Sequence, residues 1–160
     1  ALMRGVIEVN DEQRELMVGK IARAVGRAHP DLQGVRVGAL GLTFKAGTDD
    51  LRESPALAII ADLRAAGAEV GAYDPTVGPT LTPVQAAELA GIEVRHDALA
   101  AVEGSDVIAL FTEWDEFATL DLAAVAAVVE RGTTVVDMRN LLGPAQVREV
   151  GLDYDGVGRR

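Results

Sequence analysis

The sequence predicts an α/β fold in which about six strands form a doubly wound, mostly parallel sheet covered by helices on both faces. Short runs of apolar and β-branched residues alternate with segments of helical pattern, and Gly and Pro separate them. The chain has 160 residues, 49% of them hydrophobic, which is enough for one substantial core. Parallel strands need crossover connections, and because nearly all crossovers are right-handed, this alternation produces a doubly wound sheet.

The first predicted element is a long helix over residues 2–28. Met17, Ile21 and Val25 recur four residues apart, with charged residues between them. Such a helix would be about 40 Å long, more than one small domain covers. We therefore expect its first half to pack on something outside this sequence. A frayed or disordered leader is the alternative, because two glycines within the segment weaken a helix.

Six strands are predicted after this helix, and they read VRVGALGLTF, EVGAYD, IEVRH, DVIALFT, TTVVDMR and LDYDGVG. The helical segments between them are residues 55–66, 83–90, a short piece near Leu99, 122–130 and 144–149. The first of these helices has marked ends. Ser54 is expected to accept a hydrogen bond from the free amides of its first turn, Pro55 fits its first position, and Gly67 supplies the left-handed residue that ends it.

Composition excludes several classes of function. The net charge of −10 argues against a nucleic-acid partner. The sequence has no cysteine and only two histidines, His29 and His96, so we expect neither a disulfide nor a metal site. No apolar run approaches the roughly 20 residues that cross a bilayer, and the first residues lack the order of a signal peptide. A cytoplasmic protein without a membrane partner is the expectation.

The loop after the first strand, FKAGTDDLRES, is the prime candidate site, because open parallel sheets bind ligands where the strand order reverses. It leads into a helix N-terminus that favours anions, Lys45 and Arg52 add positive charge, and Phe44 offers a ring for stacking. The strict dinucleotide fingerprint is absent, since no third glycine follows Gly38 and Gly41 at the required spacing. A phosphate-binding loop and a surface turn of paired charges are equal alternatives on these residues alone.

A second candidate lies in VVDMRNLLGP, at the end of the fifth strand. Arg139 suits recognition of a phosphate or carboxylate, and if this strand lies close to the first, Arg139 reaches the same crevice as Lys45. The alternative, which the residues alone slightly favour, is a salt bridge between Asp137 and Arg139.

Other polar positions carry less weight. Asp74 in YDP stands where related folds place a ribose-binding acid, but Asp-Pro is also an ordinary turn, and we favour the turn. The segment FTEWDEF could bring Thr112, Glu113 and Trp114 to the rim of the crevice, although a lone Trp more often serves packing. His96 is expected at the surface or at a helix start.

Together, five segments resemble the C-terminal, UDP-binding domain of the UDP-glucose/GDP-mannose dehydrogenase family of nucleotide-sugar 6-dehydrogenases. They read GLTFKAGTDDLRESPA, GAEVGAYDP, DVIALFTEWDEF, VVDMRNLL and YDGVGR, and they occur in the family's order. The opening VNDEQRELMVGKI resembles the end of the central helix through which members dimerise. The resemblance implies a Rossmann-like nucleotide-sugar-binding domain over residues 31–160, preceded over residues 1–30 by the C-terminal part of that dimerisation helix.

The resemblance also implies a reaction and a set of roles. Members oxidise the sugar C6 alcohol of a nucleotide sugar such as UDP-glucose to a carboxylate in two NAD-dependent steps on a cysteine, in polysaccharide biosynthesis. By similarity Phe44, Lys45 and Arg139 contact the UDP-sugar or GDP-sugar. Arg52 reaches the NAD, which the N-terminal domain of the same protein mainly binds. A homodimer is implied for the full-length enzyme.

The sequence also departs from the family, because it has neither the catalytic cysteine nor the glycine-rich NAD loop. We therefore expect no catalytic residue in this chain. We interpret it as the C-terminal portion of such a dehydrogenase, or as a separate domain, that is not catalytic alone. A non-catalytic assembly module built on the first helix is the alternative. An independent small α/β enzyme is disfavoured, because a nucleophile or general-base cluster is lacking.

Overall fold

The computed structural model describes residues 2–28, 31–43, 51, 54–78 and 80–158, with side chains from residue 11 onward. Six strands run through this part of the chain: β1 (Arg36–Leu40), β2 (Glu69–Tyr73), β3 (Glu93–Val94), β4 (Val107–Leu110), β5 (Thr134–Asp137) and β6 (Asp153–Gly156). They form one sheet of order β3-β2-β1-β4-β5-β6 in which every neighbouring pair is parallel. The predicted doubly wound sheet is confirmed, and its strand order reverses between β1 and β4.

The strands end at a common edge. Leu40 pairs with Tyr73 on one side and with Leu110 on the other. Leu110 in turn pairs with Asp137. The loops that follow β1, β2, β4 and β5 therefore leave the sheet side by side.

Seven helices accompany these strands in the described ranges: α1 (Leu2–Ala24), α2 (Pro55–Ala65), α3 (Pro83–Glu88), α4 (Ala98–Val102), α5 (Asp115–Ala118), α6 (Leu122–Ala127) and α7 (Pro144–Glu149). Five of the predicted helical segments match α2, α3, α4, α6 and α7, although α3 and α6 end two to three residues earlier than predicted. The single turn of α5 was not predicted. It is too short for a helical period to show in sequence, and its place is set by Phe117, which is fully buried.

The predicted end of α1 at residue 28 is wrong, because a C-terminal capping motif closes the helix earlier. Gly26 adopts a left-handed backbone conformation with φ 70°. Its amide donates to the carbonyl of Arg23, and the amide of Arg27 donates to the carbonyl of Ala22. Gly67 ends α2 in the same way, as predicted, with φ 104°.

The role predicted for Ser54 as a cap of α2 is also wrong. The Ser54 side chain makes no capping hydrogen bond to the helix. Its hydroxyl donates instead to the carbonyl of Leu42, at 2.7 Å. Pro55 does occupy the first turn, as expected, and the buried side of the helix consists of Ala56, Ile59, Ile60 and Leu63.

Two apolar clusters fill the two faces of the sheet. On one face α1 and α2 pack over strand residues that include Val37, Val70, Val107 and Val136. On the other face the short helices α4 to α7 pack over Leu40, Ile108, Leu110 and Val135. Alternate residues of a strand point to opposite faces, so both faces of the central strands are apolar.

The second half of α1 belongs to this core. Met17, Val18, Ile21 and Ala22 are each at most 2% exposed, and the helix contacts α2, β4 and β5. Two ion pairs hold it in place: Arg14 with Asp62 on α2 at 2.6 Å, and Lys20 with Asp155 on β6 at 3.1 Å. No helix in the described part of the chain is both long and apolar enough to span a bilayer.

Two leucine-sized residues on α1 provide a matched test of this packing. Ile21 is 0% exposed, whereas Leu16 is 51% exposed. We expect Ile21→Ala to lower the free energy of unfolding by about 2–5 kcal/mol, because a buried cavity replaces the lost methyl groups. Leu16→Ala should change it by less than about 0.5 kcal/mol. Urea unfolding followed by circular dichroism measures both, and equal effects would contradict the described packing of α1.

Candidate functional site

The candidate site lies at the carboxyl edge of the sheet, where the loops after β1 and β4 diverge. The two loops touch at their start. Gly41 has φ 96°, and a Cβ atom added there would lie 2.5 Å from the Cβ of Thr112. The Thr112 hydroxyl donates to the carbonyl of Thr43 at 3.2 Å. A side chain at position 41 would force the two loops apart, so glycine is required there.

Gly38, the first glycine of the incomplete dinucleotide fingerprint, also serves packing. A Cβ atom on Gly38 would lie 2.6 Å from the Ser105 hydroxyl and 2.9 Å from the Cα of Val102. Glycine at this position lets α4 lie directly against β1. Gly38 lies within β1 and Gly41 packs against Thr112, so each of these glycines has a packing role of its own.

Asp74, just after β2, fixes the start of the candidate loop. Its carboxylate is fully buried. One oxygen accepts hydrogen bonds from the amides of Leu42 and Thr43, at 2.7 and 3.2 Å, and from Trp114 Nε1 at 3.3 Å. The other accepts from the amide and the hydroxyl of Thr76, at 2.9 and 2.7 Å. The interpretation of YDP as a turn is confirmed, and the same carboxylate ties together the loops after β1, β2 and β4.

The far end of the loop is fixed as well. Ser54 is 3% exposed, and its bond to the Leu42 carbonyl joins the residue before α2 to the residues after β1. The amide of Ser54 donates to the carbonyl of Leu51, which is 6% exposed. The loop therefore begins and ends at a rigid base. Three of the predicted site residues, Phe44, Lys45 and Arg52, lie in it and outside the described residues.

The fourth predicted site residue, Arg139, points back toward the same edge. β4 separates β5 from β1, and the Arg139 guanidinium reaches the loop after β4, where it pairs with Glu113 at 2.8 Å. Its side chain is 34% exposed, so a ligand can reach it.

The predicted alternative, a salt bridge between Asp137 and Arg139, is wrong. The Asp137 carboxylate is fully buried and accepts from the backbone amide of Arg139 at 3.1 Å. It also accepts from the amide of Leu142 at 2.8 Å and from the hydroxyl of Tyr154 at 3.0 Å. These neutral donors satisfy both oxygens of the Asp137 carboxylate, and the Arg139 guanidinium pairs with Glu113 instead.

The residues around Trp114 form the outer part of this edge. Trp114 is half-buried, as the packing interpretation expected, while Glu113 is exposed. Tyr73 donates its hydroxyl to Glu116 at 3.0 Å. Burial, followed by this hydrogen bond and the negative charge of Glu116, raises the pKa of Tyr73 to about 12, so the phenol stays neutral. His96 is exposed beside Asp97, which caps α4.

Sequence reasoning missed the anchoring roles of Asp74 and Ser54, and the partner of Arg139. The role of Asp74 did have a signal in the sequence. An acid directly after β2, the strand beside β1, lies where its carboxylate can accept from the amides of the loop after β1. The partner of Ser54 depends on how the loop between β1 and α2 folds back, and the partner of Arg139 depends on β4 and β5 becoming neighbours.

Comparison with known proteins identifies the family. The model of the UDP binding domain of the UDP-glucose/GDP-mannose dehydrogenase family matches residues 38–144, which include both loops of the candidate site. The chain belongs to this family. The resemblance read from the five sequence segments is thereby confirmed.

Relatives in the UDP-glucose/GDP-mannose dehydrogenase family match nearly the whole chain. The UDP-glucose 6-dehydrogenase of Rhizobium meliloti is 33% identical over 158 residues, which are 99% of this chain and 34% of that protein. The UDP-glucose 6-dehydrogenase of Pseudomonas aeruginosa is 37% identical over 161 residues, which cover 99% of this chain and 34% of that protein. The chain thus spans about a third of the length of the curated relatives it matches.

Two solved structures share the fold. A UDP-glucose dehydrogenase from Pyrobaculum islandicum superposes with a TM-score of 0.73 at 28% identity, over 96% of this chain and 31% of that one. An NDP-N-acetyl-D-galactosaminuronic acid dehydrogenase from Methanosarcina mazei superposes with a TM-score of 0.75 at 23% identity, over 93% of this chain and 29% of that one. At that identity the second comparison speaks for the fold alone.

Asp74→Asn tests whether the buried carboxylate holds the loop base. The substitution turns one acceptor oxygen into a donor that faces other donors, so we expect it to lower the free energy of unfolding by about 1–3 kcal/mol. The fluorescence of Trp114, the single tryptophan, should shift with it. The matched control is Asp121→Asn at the start of α6, where Asp121 accepts from the Ala124 amide and Asn caps equally well. Unchanged stability and emission in Asp74→Asn would contradict the anchoring role.

Proposed function

We propose that this chain is the nucleotide-sugar-binding, C-terminal part of an NAD-dependent nucleotide-sugar 6-dehydrogenase. The whole enzyme would oxidise the sugar C6 alcohol of a UDP-sugar such as UDP-glucose, or of a GDP-sugar, to a carboxylate. The observation that carries the proposal is the match of residues 38–144 to the family's UDP binding domain. Relatives that bear the name UDP-glucose 6-dehydrogenase support the reaction.

The nucleotide would bind where the loops after β1 and β4 diverge. The rigid base at Leu42 and Ser54 presents the intervening loop, in which Phe44 would line the nucleotide pocket and Lys45 would neutralise a phosphate. Arg139 would supply the second cation from the far side of β4. Its guanidinium suits two phosphate oxygens at once, and a diphosphate would take the place of Glu113.

NAD would be bound mainly by an N-terminal domain of the same protein. Gly38 packs against the end of α4 and Gly41 packs against Thr112, so the described residues fit no glycine-rich dinucleotide loop. Arg52 would reach toward the NAD from this side. The sequence has no cysteine, so the thiol chemistry would also come from the rest of the enzyme, and this chain alone would be inactive. The enzyme would work in the cytoplasm, in polysaccharide biosynthesis.

An NMR titration with UDP tests the proposal. At about millimolar ligand we expect shifts of backbone amides in residues 41–54, 111–114 and 138–142, since the nucleotide would touch these loops. Lys45→Ala and Arg139→Ala should each weaken binding about tenfold or more, the usual effect of losing a charge-assisted hydrogen bond. GDP run in parallel would compare the two bases.

The matched control for Arg139→Ala is Arg148→Ala. Arg148 is also exposed, but it lies in the last turn of α7, which precedes β6 and so stands at the amino edge of the sheet. It should leave UDP binding unchanged. Absence of any shift in the wild-type chain at this concentration would count against a preformed nucleotide site.

A homodimer through α1 is the second proposal, and the exposed side of that helix supports it. Acidic Glu12 and Glu15 precede Leu16, basic Arg23 lies in the last turn of α1, and Arg27 follows the helix, so this surface is negative at one end and positive at the other. A second copy laid antiparallel about a two-fold axis near Gly19 would pair the opposite charges, with Leu16 inside the contact. This surface would serve the assembled enzyme, or a non-catalytic assembly module.

Light scattering after size exclusion tests the dimer. We expect a mass that rises from monomer to dimer with concentration, and Leu16→Glu should keep the chain monomeric because it replaces an apolar side chain inside the contact with a charged one. The control is Val84→Glu on α3, where Val84 is 68% exposed and lies away from α1. A monomer at every concentration would contradict self-association of this chain through α1.

A further inference from the structure

Asn140, in the loop after β5, holds an unusual backbone conformation. Its φ of 52° is the single positive value among the non-glycine residues that the structure describes. Residues with a Cβ atom rarely enter this region, and Asn enters it more readily than most. A conformation of this kind persists where the surroundings hold it.

The surroundings that hold Asn140 are the backbone groups of Val157. The side-chain Nδ2 donates to the Val157 carbonyl at 2.8 Å, and the Val157 amide donates to Oδ1 at 2.9 Å. Val157 directly follows β6 and packs against the core. The Asn140 amide therefore ties the middle of the loop to the sheet through two hydrogen bonds.

Asp137 holds both ends of the same loop, because its carboxylate accepts from the amides of Arg139 and Leu142. The backbone of Arg139 thus lies between one anchor at its own amide and a second at its neighbour Asn140. From this fixed origin its guanidinium reaches Glu113 at 2.8 Å. The Asn140 bonds themselves touch neither the guanidinium nor the crevice.

We propose that Asn140 is a positioning residue for Arg139, which it holds in place for a phosphate group of the nucleotide. This inference rests on the proposed function, in which Arg139 contacts that nucleotide. A loop freed from Val157 would have to be ordered when the ligand binds, and ordering a long side chain and its loop costs affinity. Asn140 would thus contribute to binding without touching the ligand.

Asn140→Gly is the informative variant. Glycine adopts positive φ readily, so the fold is kept while the two bonds to Val157 are lost. Titrations with UDP and with uridine on the 160-residue chain measure the effect. We expect UDP to bind about threefold to tenfold more weakly and uridine, which has no phosphate, to bind as before. In an Arg139→Ala background the same substitution should have no further effect on UDP.

A second measurement needs no ligand. In the wild-type chain we expect ¹⁵N relaxation of the Arg139 side-chain Nε–H group to report a rigid guanidinium, paired with Glu113, and in Asn140→Gly a mobile one. A rigid Arg139 in Asn140→Gly would overturn the inference whatever the nucleotide does.

The binding outcomes separate this inference from the proposed function. If wild-type chain fails to bind UDP, the proposed function falls, and with it the phosphate-directed role of Asn140. If UDP binds and Arg139→Ala weakens it while Asn140→Gly does not, the proposed function stands and this inference falls. Equal weakening by Asn140→Gly with and without Arg139, or weakening of uridine to the same extent, would likewise overturn it.

Discussion

Both faces of a parallel sheet must be covered, and this constraint explains why α1 is part of the domain. The crossover helices between β4 and β6 all lie on one face, and α2 covers only the β1 and β2 half of the other. Without another helix, one face of β4 and β5 would be bare. The buried residues of α1, from Met17 to Ala22, fill that place, and Lys20 ties the helix to β6.

Two buried carboxylates organise the carboxyl edge of this sheet in parallel ways. Asp74 follows β2 and Asp137 ends β5, which are the second strands of the two halves of the doubly wound sheet. Each accepts from the backbone amides of a nearby loop: Leu42 for Asp74 and Leu142 for Asp137. A buried carboxylate is stable only when donors surround it, so the loops are fixed by the same bonds that satisfy the charge.

The sequence predicted those parts of the structure that depend on local pattern. Strand positions followed from β-branched runs, and the stop of α2 followed from Gly67. Local pattern did not distinguish Gly26, which ends α1, from Gly19, through which α1 continues with buried Val18 and Ile21 close to it. The site depended on tertiary contacts to a larger degree. The Ser54 hydroxyl donates to the Leu42 carbonyl and makes no capping bond to α2, an outcome that no spacing rule indicates.

The charges at the described carboxyl edge explain why this edge needs the neighbouring loop. Glu113, Asp115 and Glu116 follow β4, and Glu113 already neutralises Arg139. A diphosphate that approached this part of the edge alone would meet net negative charge and would have to displace a carboxylate. In the proposed complex, Lys45, in the loop between Leu42 and Ser54, would be the cation that reverses that balance. The base of the loop would thus link packing to the proposed function, because it fixes the two ends of the segment that carries Lys45.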